Sequence, residues 1–141
     1  MTKRLVGING FGRIGRAIFR KVLESKDFDI AVINDINPDN NNIAYQLKYD
    51  SLYGILKEEI KSDETGITVN VKKIFVYHEK DIDYVPWDKY GVTRVVDSSG
   101  VHENVERARH LKGRVNQVII THSPEERLID RFVIVGINED D

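Results

Sequence analysis

Apolar residues change their spacing along this chain, and the changes mark out its elements. Leu5, Val6 and Ile8 form a short apolar run over residues 3–9 that stops at a glycine cluster, the pattern of a buried strand. Ile14, Ala17, Ile18 and Val22 then fall at i, i+3, i+4 and i+8, one stripe along a helix. Residues 28–33, FDIAVI, are apolar over a strand's length. Asp39 and the asparagines after it suit a helix N-terminus, because a short polar side chain can take up the free N–H groups there. The helix it opens includes Ile43, Ala44, Leu47 and Lys48. From 54 to 78 β-branched and charged residues alternate around a turn at 63–66, which predicts short antiparallel strands decorating one edge of the domain. Val85, Pro86 and Trp87 mark a break, with Trp87 and Tyr90 expected to fill a core edge. Beyond it lie a strand at 94–96, a helix over VHENVERARHL, a strong strand at 115–121 and one more strand at 132–137. Strands alternating with helices in this order predict an α/β fold, a mostly parallel sheet with covering helices and a small antiparallel β insertion.

Composition narrows the function. A length of 141 residues suits one domain and predicts no second, substrate-handling domain. Lys and Arg number 21 against 23 Asp and Glu, a net charge of −2, so no nucleic-acid partner is expected. No apolar run approaches the ~18 residues of a membrane span, and no membrane partner is expected. Cysteine is absent, which excludes disulfides, thiolate metal sites and thiol nucleophiles within the chain. The basic start MTKRLVGING has no long apolar stretch or cleavage signal, so a cytoplasmic location is expected. No metal site is expected either, since His78, Glu79 and Asp81 lack a helical i, i+4 ligand pair.

One motif carries chemistry. Gly10-Phe11-Gly12-Arg13-Ile14-Gly15 is a G-x-G-x-x-G that follows a predicted strand and opens a predicted helix. Asp35 lies 35 − 15 = 20 residues beyond its last glycine. Gly10 permits a tight turn, Gly12 lets backbone approach a pyrophosphate, and Gly15 lets helix pack on strand. The free N–H groups of the helix start then face phosphate oxygens, aided by the helix dipole. Asp35, closing the second strand, would accept from the adenosine ribose hydroxyls and repel a 2′-phosphate, which predicts NAD rather than NADP. The fold expected is therefore of the Rossmann type, doubly wound.

The run VGINGFGRIGR, with Asn34-Asp35 after the second strand, resembles the N-terminal, NAD-binding half of glyceraldehyde-3-phosphate dehydrogenase. Further matches follow in that family's order. Lys48-Tyr49-Asp50-Ser51 with Gly54 resembles Y-D-S-x-H-G, and Ser98-Ser99-Gly100-Val101 resembles S-T-G-V. Val118-Ile119-Ile120-Thr121 resembles V-I-I-S/T, and Val135-Gly136-Ile137-Asn138 resembles G-V-N. The resemblance spans essentially the whole chain. It implies an NAD-dependent oxidoreductase of glycolysis. Asn9 and the backbone of Phe11, Arg13 and Ile14 would surround the pyrophosphate, with Asn34 and Asp35 on the adenosine side. Glu79-Lys80 would lie beside the adenine, Ser98, Ser99 and Gly100 would line the groove, and Thr121 would approach the nicotinamide. Lys80 replaces the family's arginine, Tyr53 its common histidine and His102 its common phenylalanine, while His122-Ser123-Pro124 stands for the usual A-P. Asp35, where the related erythrose-4-phosphate enzymes carry glutamate, favours the triose substrate.

The family's nucleophile is a cysteine in a C-T-T-N motif, activated by a histidine of the second domain. Residues 1–141 contain neither the motif nor any cysteine, so the catalytic domain is expected to lie outside this chain, joined in cis or supplied in trans. No catalytic residue is expected within it: it would bind NAD without turnover. A homo-oligomer is expected for a full-length protein. The alternative is a stand-alone, non-catalytic module that binds NAD or a partner.

Overall fold

The computed structural model describes residues 2–139. Strand β1 (Arg4–Asn9) leads into helix α1 (Arg13–Leu23) and strand β2 (Phe28–Asn34). Helix α2 (Asn40–Lys48) follows, then a two-strand ribbon of β3 (Tyr49–Asp50) and β4 (Gly54–Ile55). Strands β5 (Ile60–Asp63), β6 (Gly66–Val69) and β7 (Lys72–Tyr77) come next. After two short 3₁₀ turns come β8 (Val92–Asp97), helix α3 (His102–Arg107), a further 3₁₀ turn and β9 (Gln117–Ile120).

Seven strands form one sheet in the order β5-β6-β7-β2-β1-β8-β9. β1 lies between parallel neighbours β2 and β8, β7 runs parallel to β2, and β9 runs parallel to β8. The antiparallel meander β5-β6-β7 forms one edge, as the alternation at 54–78 predicts. Its last strand also serves as a parallel strand of the main sheet, which periodicity alone does not show.

Each face of the sheet has its own core. On one, Val6, Ile8, Ile30, Ile74 and Val96 pack with Phe19 of α1 and Ile43 and Leu47 of α2. On the other, Val32, Val92 and Val95 meet Trp87, Ile82, Val85 and Leu111. The indole of Trp87 is fully buried and donates to the Ile82 carbonyl at 2.9 Å, so its one polar atom is satisfied. Burial on both faces explains why the central strands read as continuous apolar runs.

Asp39 caps α2 as expected, its carboxylate accepting from the N–H groups of Asn41 and Asn42 at 2.9 and 3.2 Å. Asp39→Ala is expected to lower stability by about 1 kcal/mol, read by thermal or urea unfolding. A loss too small to measure would show that this helix end does not depend on the cap.

The connection from β7 to β8 is pinned to α3 by charge. Asp83 accepts from the His110 Nδ1 at 2.8 Å and from Arg107 at 3.4 Å, while Arg107 also pairs with Asp81 at 3.2 Å. Burial opposes the Asp83 charge, but the hydrogen bonds from His110, backbone and Arg107 outweigh it and hold this carboxyl below the usual carboxylate range. A carboxylate with a lowered folded pKa adds stability above its unfolded value, and that stability fades as pH falls through the folded value. The difference in melting temperature between the wild type and Asp83→Asn is therefore expected to shrink as pH drops below about 4. A difference that stays constant from about pH 6 to pH 3 would remove the carboxylate charge from this role.

The strand expected at 132–137 does not form: residues 131–139 run as coil and turn, with Val135 86% exposed. Asn138 takes up the local backbone instead, donating from its amide to Phe132 O at 2.8 Å and accepting from Ile134 N–H at 2.6 Å. An apolar run records a capacity to pair, and a strand also needs a neighbouring edge. The helix expected over 101–111 is likewise shorter, α3 giving way to 3₁₀ turn at Ala108–Leu111.

Candidate dinucleotide site

In a parallel sheet, all loops that leave the strands' carboxyl ends emerge on one side. Here these are the loops after β1, β2, β7, β8 and β9, and every cofactor-binding residue expected from the sequence lies on them, on the adjoining first turn of α1, or, as Asn9 and Asn34 do, at the last position of β1 or β2. The strand order reverses at β1, whose neighbours β2 and β8 lead to opposite halves of the sheet. That is where open α/β sheets bind ligands.

The glycine loop has the shape its spacing predicts. Gly10 has φ +90°, and a Cβ there would lie 2.6 Å from the Ser99 backbone, so only glycine fits this turn. A Cβ on Gly15 would meet the Gly10 carbonyl at 2.3 Å, which is the close helix-to-strand contact. Gly12, the N-cap of α1, has an ordinary φ of −80°, and a Cβ there would touch nothing within 4 Å. No side chain caps α1 and no acidic residue lies in its first turn. Gly12 thus borders open space at an uncapped helix start, with Gly12, Arg13 and Ile14 all exposed: the cradle a pyrophosphate needs.

The loop is held from both sides. Phe11 is buried, edge-on to Phe19 at 5.7 Å, and its N–H donates to Asp35 Oδ2 at 2.7 Å. Asp35 Oδ1 accepts from Asn37 N–H at 2.8 Å, so this carboxylate spans the ends of β1 and β2. Arg16 donates to the Phe11 carbonyl at 3.0 Å, and the Ser98 hydroxyl donates to the Gly10 carbonyl at 2.6 Å.

Beneath the loops runs a buried polar chain. Asn9, 2% exposed, donates to Asp97 Oδ1 at 3.0 Å and accepts from the Asn34 amide at 2.7 Å. Asn34 also donates to the Glu79 carbonyl at 2.9 Å and accepts from Glu79 N–H at 2.8 Å. Asp97, fully buried, accepts from both the N–H and the hydroxyl of Ser99, at 3.1 and 2.6 Å. The amides of Asn9 and Asn34, expected at the pyrophosphate and the adenosine, thus also tie four strand ends together. Asp97 is the carboxylate that sequence reasoning missed: a lone acidic residue closing a strand gives no signal of its own.

The far end of the groove is more open. Gly100, with φ +71°, and Val101 are exposed. Thr121, exposed, reaches back to the Asp97 carbonyl through its N–H at 3.1 Å and its hydroxyl at 3.2 Å. His102 and His122 stand edge to face with ring centroids 5.4 Å apart, so two of the departures from the family pattern touch each other. Lys80 is exposed beside Glu79. Among the described residues, no group of three or more His, Cys, Asp or Glu is placed to hold a metal, and no helix is long and apolar enough to cross a membrane.

A mostly parallel sheet that switches direction at a glycine loop, with an acidic residue closing the next strand, defines a dinucleotide-binding α/β protein. Residues 4–105 match the family described as "Glyceraldehyde 3-phosphate dehydrogenase, NAD binding domain". The chain belongs to that family, whose domain takes NAD as its cofactor. It is 43% identical over 137 residues to a glyceraldehyde-3-phosphate dehydrogenase of Cochliobolus heterostrophus, covering 96% of this chain and 40% of that protein. It is also 45% identical over 136 residues to one from Cochliobolus lunatus, covering 96% of this chain and 40% of the relative. The match to glyceraldehyde-3-phosphate dehydrogenase 1 of Bacillus cereus is 40% over 141 residues, 99% of this chain and 41% of the relative. The chain thus spans about two fifths of the length of these relatives.

Proposed function

We infer that this chain is the cofactor-holding part of an NAD-dependent glyceraldehyde-3-phosphate dehydrogenase, a cytoplasmic oxidoreductase of glycolysis. The observation that carries the reading is the open, uncapped cradle at Gly12, held from behind by the 2.7 Å hydrogen bond from Phe11 N–H to Asp35. Backbone N–H groups of Gly12, Arg13 and Ile14 hold the pyrophosphate, and Asp35 takes the adenosine ribose. Lys80 lies beside the adenine, while Ser98, Ser99, Gly100 and Thr121 line the path to the nicotinamide. NAD supplies hydride acceptance when bound, and the residues of this chain bind and orient it.

The sequence holds no cysteine, so on this reading residues 1–141 form a dinucleotide-binding domain that binds cofactor without turning over substrate. The nucleophile and its histidine come from a catalytic domain, in cis or in trans, and the complete protein is a homo-oligomer. Calorimetric titration of the chain with NAD and, in parallel, NADP tests the cofactor reading. Saturable NAD binding with weaker NADP binding is expected. A chain shown by circular dichroism to be folded, yet taking up neither, would overturn it.

A further inference from the structure

His78 belongs to none of the roles above, yet its ring is held in one orientation at the carboxyl edge of the sheet. β2 and β7 run parallel with Asn34 opposite Tyr77, and Asp35 N–H donates to the Tyr77 carbonyl at 3.0 Å. Residues 35 and 78 are therefore the first beyond two neighbouring strands. The His78 Nδ1 lies 2.9 Å from the backbone carbonyl of Asp35. A carbonyl oxygen only accepts, so Nδ1 carries the proton. The ring is exposed, and in its neutral form that bond sets the tautomer and leaves Nε2 as the lone-pair acceptor.

The placement says what this acceptor faces. β7 and β1 flank β2 on opposite sides, so the Asp35 carboxylate reaches toward the glycine loop while His78 covers the other side of the same residue. If Asp35 takes the ribose, the base extends away from the pyrophosphate, toward β7 and His78. Of the polar groups there, Asn34's amide and Glu79's backbone N–H and carbonyl are bonded to each other and the Lys80 ammonium only donates, which leaves the Glu79 carboxylate as the side-chain acceptor competing with His78. A purine 6-amino group needs an acceptor.

Resting on the NAD-binding reading, we propose that His78 is a specificity-determining residue for adenine, its Nε2 accepting from the 6-amino group and so rejecting 6-oxopurine dinucleotides. A 6-oxo group would bring one acceptor against another, and a site built around such a hydrogen bond discriminates against the analogue that lacks it.

The test compares NAD with nicotinamide hypoxanthine dinucleotide by calorimetry. It uses the unsubstituted chain, His78→Phe, which keeps a ring face without nitrogens, and His78→Ala, with Glu79→Gln alongside because its carboxylate is the competing acceptor. The unsubstituted chain is expected to prefer NAD about tenfold. Both His78 variants should bind NAD about tenfold more weakly, bind the hypoxanthine analogue unchanged and lose the preference, while Glu79→Gln keeps it. A purely structural or stacking role would weaken both ligands equally. Equal weakening, a preference that survives in His78→Phe and His78→Ala, or a preference lost in Glu79→Gln overturns the assignment and leaves NAD binding standing. Failure of the unsubstituted chain to bind NAD overturns both.

Discussion

Gly12→Val is expected to weaken NAD binding by roughly a hundredfold or more while leaving the fold intact, because the phosphates lose several backbone hydrogen bonds to charged oxygens at once. The two effects separate at this position for a geometric reason. With φ −80° and nothing within 4 Å of a Cβ, valine fits the backbone and strikes no neighbour. Its isopropyl group fills the space that a pyrophosphate would enter. Exchanging glycine for valine at an N-cap costs well under about 2 kcal/mol. Gly15→Val makes the contrast, since its Cβ would sit 2.3 Å from the Gly10 carbonyl and push α1 off the sheet. Calorimetry with a thermal melt on each variant distinguishes them. Normal NAD affinity in Gly12→Val would remove the phosphate-loop assignment.

Asp35→Ala is expected to cost NAD more than NADP. On the proposed reading the carboxylate is a ribose acceptor and a charge hostile to a 2′-phosphate, so its loss would hurt one cofactor and remove a penalty from the other. The structure adds a shared loss. Asp35 also accepts from Phe11 N–H at 2.7 Å and Asn37 N–H at 2.8 Å, so its removal frees the glycine loop that both cofactors use. NAD affinity should fall roughly thirtyfold to a hundredfold, as expected for losing charge-assisted hydrogen bonds, with NADP falling less and the preference shrinking about tenfold. Parallel titrations read the ratio, and an NAD-to-NADP ratio equal to that of the unsubstituted chain would sink the ribose role.

Much of the frame could be read one segment at a time. The stripe from Ile14 to Val22, the apolar runs of β1 and β2, the Asp39 cap and the alternation at 54–78 each depend on neighbours within a turn or a hairpin. The glycine loop was legible for the same reason, since its tight turn, open approach and close packing are demands on three nearby backbone positions. The segment at 132–137 shows the limit: its apolar run is as clear as that of β6, but β6 lies between β5 and β7 while Phe132 and Ile134 bond locally to Asn138.

Local patterning thus decided the alternating α/β order, the glycine turn and the acidic residue after the second strand, because these are properties of residues close in sequence. Tertiary structure alone decided which polar groups remain for a ligand. Asn9 meets Asp97 across 88 residues, Asn34 meets Glu79 across 45 and His78 meets Asp35 across 43. Each of those bonds follows from which strands the sheet sets side by side, and strand order is a global result of burying two apolar faces at once. The amides of Asn9 and Asn34 tie neighbouring strand ends together and the ring of His78 is held by one edge for that reason, which no window along the chain contains.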